Sequence, residues 1–160
     1  MSVGGGILPV MEPSHGATFA EQLADIPVIT DADVLARVDA IIEPEARRER
    51  ALWLFFLYPD GTQAPAIVPL HDLPEMPAED DAEVPFHLLR HFYGTADGPD
   101  LYFILTIVRD GTTDLTESDR QWLRVLRWGI EEHVTPVRML CLATPEGVRG
   151  LGPRQPRPAP

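Results

Sequence analysis

Two runs of eight residues restrict this chain more than anything else in it. "ALWLFFLY", Ala51 to Tyr58, has no polar alternation, and "LYFILTIV", Leu101 to Val108, interrupts its apolar character only at Thr106. A run that short and that apolar is a strand covered on both faces, because a strand with one wet face alternates. Each of the two must therefore lie inside a sheet with a packed layer above and below. A third strand is read in "VTPVRMLCLAT", Val134 to Thr144, followed by a "PEG" turn and a short "VRGL" strand.

The segments between these runs supply the layers. Thr30 and Asp33 form a capping-box-like pair, with Asp in place of Glu, ahead of Val34, Leu35, Val38, Ile41 and Ile42 at helical spacing. Pro44 ends that helix, and "PEARRER" reads as a charged connector or a short second helical turn. "PDG" at Pro59 to Gly61 is a turn signal that makes the next strand antiparallel to the first. That strand, "TQAPAIVPL", carries Pro65 and Pro69, each lacking a backbone donor, so it belongs at an edge or is irregular. Behind the acidic loop "EMPAEDDAE", Pro85 opens a short helix, "PFHLLRHFY", closed by Gly94. Thr116 caps a longer helix from Glu117 to about His133. Its buried stripe is Trp122, Leu123, Val125, Leu126 and Ile130, and Arg120, Arg124 and Arg127 lie on a solvated face. The expected fold is a single mixed-sheet α/β sandwich in the order α-β-β-α-β-α-β-(β).

That unit is placed at residues 29–151. Residues 1–28 hold three consecutive glycines without periodicity and read as mostly flexible; 152–160, with four prolines in "GPRQPRPAP", reads as a disordered tail. The chain has 13 Lys+Arg against 25 Asp+Glu, a formal net charge of −12. A nucleic-acid binder needs the opposite balance to neutralise phosphates, and an anionic membrane surface repels this one. The single cysteine, Cys141, allows no intramolecular disulfide and sits in an apolar run, where an inert buried thiol is expected. With no signal-peptide pattern and no spanning segment, the expected location is cytoplasmic.

The stretch richest in small polar groups is the join "ILTIVRDGTTDLTESDR", Ile104 to Arg120. Its element order and spacing resemble the JAMM/MPN metalloprotease fold, whose local signature is H-x-H, seven residues, S, two residues, D. On this chain Thr106 and Val108 fall where the histidines belong. Residues 109–115 make the seven-residue loop, with Gly111 matching a common glycine, Thr116 stands for the serine and Asp119 for the aspartate. The resemblance implies a zinc site of three protein ligands and an open water position. Valine cannot bind zinc, and a threonine hydroxyl is a poor substitute for imidazole, so the resemblance implies a degenerate, metal-free site. Thr116 and Asp119 also have a purely structural explanation as helix cap and N3 residue.

Other candidates are fewer. His87 and His91 share a helix face and could reach one metal with His71, but Leu88 stands where a zincin needs Glu. "SVGGG" lacks the Lys of a phosphate loop, and no G-x-S-x-G elbow occurs. The acidic residues Glu75, Glu79, Asp80, Asp81 and Glu83 read as a solvated loop. The expectation is a non-catalytic interaction module with no cofactor and a protein partner. The alternative is a hydrolase-type enzyme or small-ligand binder using Thr106, Asp110, Thr116 and Asp119.

Overall fold

A computed structural model describes residues 23, 25–93 and 100–151, with the backbone alone for residues 92 and 93. Gly94 and the loop that follows it, the tail 152–160 and most of the N-terminal segment lie outside the described residues.

One five-stranded sheet organises the chain, flanked by helices α1 (Asp31–Ile41), α2 (Glu83–Tyr93) and α3 (Glu117–His133). Its strands are β1 (Ala51–Leu57), β2 (Gln63–His71), β3 (Tyr102–Val108), β4 (Val137–Thr144) and β5 (Gly147–Leu151). The spatial order is β2-β1-β3-β4-β5. Only β3 and β4 run parallel, which the α3 crossover between them requires. The other neighbours are antiparallel. The expected element order is therefore the observed one. The two eight-residue runs supply the interior strands β1 and β3, and the strand with Pro65 and Pro69 is the edge strand β2, where a missing donor can face outward.

Alternation along the interior strands divides the core in two. Leu52, Leu54, Phe56, Phe103, Leu105, Ile107, Leu140 and Leu142 pack under Phe86 and Leu89 of α2 and Trp122 and Leu126 of α3. Ala51, Phe55, Ile104, Val108, Met139 and Cys141 face the other way, under Val34, Val38 and Ile42 at α1. Fully burying one such aliphatic or aromatic side chain is worth about 1.5–3 kcal/mol, so each layer is held chiefly by its apolar face. Val28, one residue outside the expected 29–151 unit, belongs to the α1-side core and donates its N–H to the Gly61 carbonyl at 2.7 Å.

Several boundaries differ from the sequence reading, each for a local reason. The acidic loop is partly helical: a 3₁₀ turn at Glu79–Ala82 runs into α2, which begins at Glu83 rather than Pro85. Pro85 is tolerated in that first turn, where its missing N–H would have had no helical partner. The third apolar run starts as a strand at Val137, not Val134. Val134 instead closes α3 in the left-handed region (φ 49°, ψ 53°), and Thr135 N–H bonds back to the Ile130 carbonyl. "PEARRER" folds as a 3₁₀ turn at Pro44–Arg48 whose Arg47 is almost fully buried. The Arg47 guanidinium donates to the carbonyls of Ile42 (2.7 Å), Thr144 (3.0 Å) and Asp39 (2.9 Å), tying the end of α1 to the end of β4. Gly129 lets α2 and α3 touch, because a Cβ there would lie 2.2 Å from the Phe86 ring.

Candidate functional site

The join between β3 and α3 is built around Arg109. It follows the last residue of β3, and its side chain turns to the α3 side of the sheet. Nε donates to Asp119 Oδ1 at 2.8 Å and Nη2 to Asp119 Oδ2 at 2.6 Å, a bidentate pair with 6% and 0% of the two side chains exposed. Nη1 and Nη2 also donate to the carbonyls of Asp110 (2.8 Å) and Asp114 (2.9 Å), so the guanidinium serves as the internal frame of the loop. Gly111 makes room for it: its φ is +101°, and a Cβ would come within 3.0 Å of Nη1.

Thr116 and Asp119 form a complete capping box. Asp119 N–H donates to Thr116 Oγ1 at 3.1 Å, and Thr116 N–H donates to Asp119 Oδ2 at 2.9 Å. Burial pushes the Asp119 carboxyl up. The hydrogen bonds from Arg109 and from the Thr116 backbone, with the Arg109 charge, outweigh that and leave it below the usual carboxylate range. Such a carboxylate is ionised at neutral pH and fully engaged. It cannot take a proton or a metal without leaving Arg109 buried and unpaired.

The other two candidates at the join stand apart from this cluster. The Asp110 carboxylate is exposed and 3.8 Å from the exposed Arg48, a contact worth little. Thr106 is fully buried and faces the α1 side, paired across the sheet with Trp53 on β1 and Cys141 on β4. Val108 faces the same way. Thr106 and Val108 are thus separated by the sheet from Asp119, which pairs with Arg109 on the α3 side.

The row Trp53–Thr106–Cys141 has its own chemistry. Among the described residues, the buried Trp53 Nε1 has no hydrogen-bond partner, and the buried Thr106 Oγ1 has no nitrogen or oxygen partner and lies beside the Cys141 thiol, a weak one. Burial pushes Cys141 up to about 12, with only partial relief from the Thr106 hydroxyl and the Arg138 charge, so it stays protonated and inert. Trp53 is partly exposed, as are Ile67 and Tyr102 on the same face of the sheet.

Among the described residues, no three His, Cys, Asp or Glu side chains converge as metal ligands. His87 is two-thirds exposed and lies 3.3 Å from Glu83; His91 is exposed further along α2, and His71 is exposed at the end of the edge strand. The residues that sequence reasoning passed over are Arg109 and Trp53. Arg109 does carry a signal: a lone charge directly after seven strand residues and ahead of an Asp-Gly turn. Trp53 carries none, being one aromatic among several in its strand. No protein-family model matches this sequence, and neither a curated protein nor a solved structure matches it.

Proposed function

We propose that this chain is a non-catalytic interaction module on a JAMM/MPN-like scaffold that has lost its metal site. The observation that carries the reading is the state of Asp119. The one acid at the position of a third zinc ligand is locked by Arg109 and by the helix cap. The positions of the two imidazoles hold Thr106 and Val108, whose side chains point to the opposite face. Asp119 is thus not free to bind metal or activate water, and the exposed Asp110 stands apart from it, which favours a role for the surface over chemistry at the join.

The test is affinity capture of the full chain from its native cell, run beside elemental analysis and a panel of ester, peptide and phosphoester substrates. A stoichiometric protein partner, with no bound zinc and no turnover, is the expected result. Turnover or zinc binding that disappears in Asp119→Asn would overturn the reading.

A second reading has one observation in its favour. Trp53 Nε1 has no partner among the described residues and Thr106 Oγ1 only the weak Cys141 thiol, in an apolar layer, the pattern of a site for a small neutral ligand carrying one hydrogen-bond acceptor. Protection of the melt by an uncharged ligand, lost in Thr106→Val, would favour this second reading.

A further inference from the structure

We propose that residues 17–22 continue the helical turn that ends at Leu23 and lay Phe19 on the β1–β2 half of the sheet face that α1 leaves open. The occupant is a named part of this chain, and the inference does not rest on the module reading.

The two faces of the sheet are covered unequally. Strands lie about 4.8 Å apart and a helix is about 10 Å wide, so one helix covers roughly two strands. On one face α2 and α3 both pack. On the other, α1 packs on β4 and β5 at one edge of the sheet. Beyond α1 this face carries an apolar row. Ile67 on β2 pairs with Phe55 on β1, Pro69 with Trp53, and Tyr102 on β3 with Leu57. Phe55 is fully buried, and Trp53 stacks on it with ring centroids 6.4 Å apart. Ile67, Trp53 and Tyr102 are only partly buried, and Pro69 is exposed. A sheet face made for water would carry polar residues at these positions.

The described chain arrives at one end of this row. Val28 N–H donates to the Gly61 carbonyl, in the β1–β2 turn, at 2.7 Å. The buried Arg37 donates to the Ile26 carbonyl and, at 2.8 Å, to Oε1 of Gln63, the residue that pairs with Leu57. Leu23 is helical, and Ile26 N–H closes that turn on the Leu23 carbonyl at 2.9 Å.

The sequence ahead of Leu23 supplies the occupant. Thr18 and Glu21 have the spacing of a capping box, and Phe19 and Leu23, four apart, share a helix face. A helix over 17–23 is about 10 Å long, against about 13 Å of strand from Leu57 to Trp53. A segment tethered this closely meets the row at an effective concentration on the order of millimolar, which favours it over a second copy or a separate partner.

The experiment uses the full chain with paired cysteines, since its own Cys141 is buried. Phe19→Cys with Ile67→Cys should form a disulfide under mild oxidation, and Phe19→Cys with Arg124→Cys, on the solvated face of α3, should not. In a chain carrying Trp128→Phe, acrylamide quenching reports on Trp53, because Trp122 is fully buried. There Phe19→Asp should raise the quenching and lower the melting temperature by about 5 °C or more, and Phe19→Leu should do far less of both. The cross-link needs no disruptive change, so it decides the matter if Phe19→Asp does not fold. A 19–67 pair that does not link, or links no faster than the 19–124 pair, overturns the proposal. A melt and a quenching both unmoved by Phe19→Asp do the same. Quenching that ignores Phe19→Asp but falls as protein concentration rises would put a second copy on the row and overturn it too. Each of these leaves the module reading standing, whose own test is capture of a native partner.

Discussion

At the β3–α3 join a charged pair is buried and answered: each Arg109 guanidinium nitrogen donates, and both Asp119 oxygens accept. Three residues before Arg109, on the opposite face of the same chain segment, a neutral hydroxyl is buried at Thr106 with at most the weak Cys141 thiol to answer it, and the Trp53 indole N–H beside it has no partner among the described residues. The two regions bury groups of very different polarity, and the more polar one is better satisfied. A buried charge without a partner would cost several kcal/mol, whereas a lone hydroxyl costs roughly 1–3 kcal/mol, which a fold can carry. The join is thus the part of this segment on which the fold depends, and the mid-sheet row is the part with unused hydrogen-bonding capacity.

The largest expected effect is at the join. Arg109→Met leaves Asp119 buried without its cation and the Asp110 and Asp114 carbonyls without a donor. Loss of stability should be about 3–5 kcal/mol, read from urea unfolding at neutral pH. Adding Asp119→Asn to Arg109→Met should recover part of it, because the unpaired charge is then gone. A loss below about 1 kcal/mol would mean that the join is not the satisfied cluster described, and the comparison would fail there.

The same pair should make folding acid-sensitive. Asp119 has a folded pKa below the ordinary carboxylate value of about 3.9, so it stabilises the fold fully above that value. That stabilisation is lost as pH falls through the lower, folded pKa. Wild type should therefore lose more stability than Asp119→Asn between neutral pH and pH near 3. Asp33 and Asp60 are lowered too, by bonds from residues 29–30 and from Thr62, but they titrate in both chains and cancel in the difference. Parallel pH profiles for the two proteins would show that Asp119 does not titrate as its contacts require.

A smaller effect belongs to the cap. Thr116→Ala removes the oxygen that accepts from Asp119 N–H and should cost about 1 kcal/mol, or roughly 2–8 °C in melting temperature. Thr116→Ser keeps that oxygen and should be nearly neutral. A melt unmoved by Thr116→Ala would return the join to consideration as a ligand site.

How much of this could be read in advance depends on whether the signal was local. The strand order along the chain, the edge placement of the proline-bearing strand and the Thr116–Asp119 cap all rest on patterns within a few residues, and all are present. Arg47 and Arg109 could not be read as buried, since a single arginine looks the same whether its carbonyl and carboxylate partners are near or 97 residues away, as Thr144 is from Arg47. The side of the sheet taken by Thr106 follows from strand alternation. What that row holds, Trp53 on one side and Cys141 on the other, depends on register between strands far apart in sequence. Gly129 was equally silent, because the reason for a glycine inside α3 is Phe86 on α2.

The smallest effect, and the one with the sharpest sign, is at Thr106. Valine is close to threonine in shape and removes only the hydroxyl. If that hydroxyl has no partner, Thr106→Val deletes a buried desolvation cost and adds a methyl to an apolar layer beside Phe55, Ile104 and Cys141. The melt should then rise by the equivalent of up to about 1 kcal/mol, and Trp53→Phe, which deletes the indole N–H but also volume, should gain less or nothing. A rise leaves the row a tolerated imperfection, and the contrast with the join stands. A fall of about 1 kcal/mol would mean that the hydroxyl is answered, by the Cys141 thiol or by something beyond the chain's own groups. If the same change also weakens binding of a small neutral ligand, the mid-sheet row replaces the join as the chain's binding site.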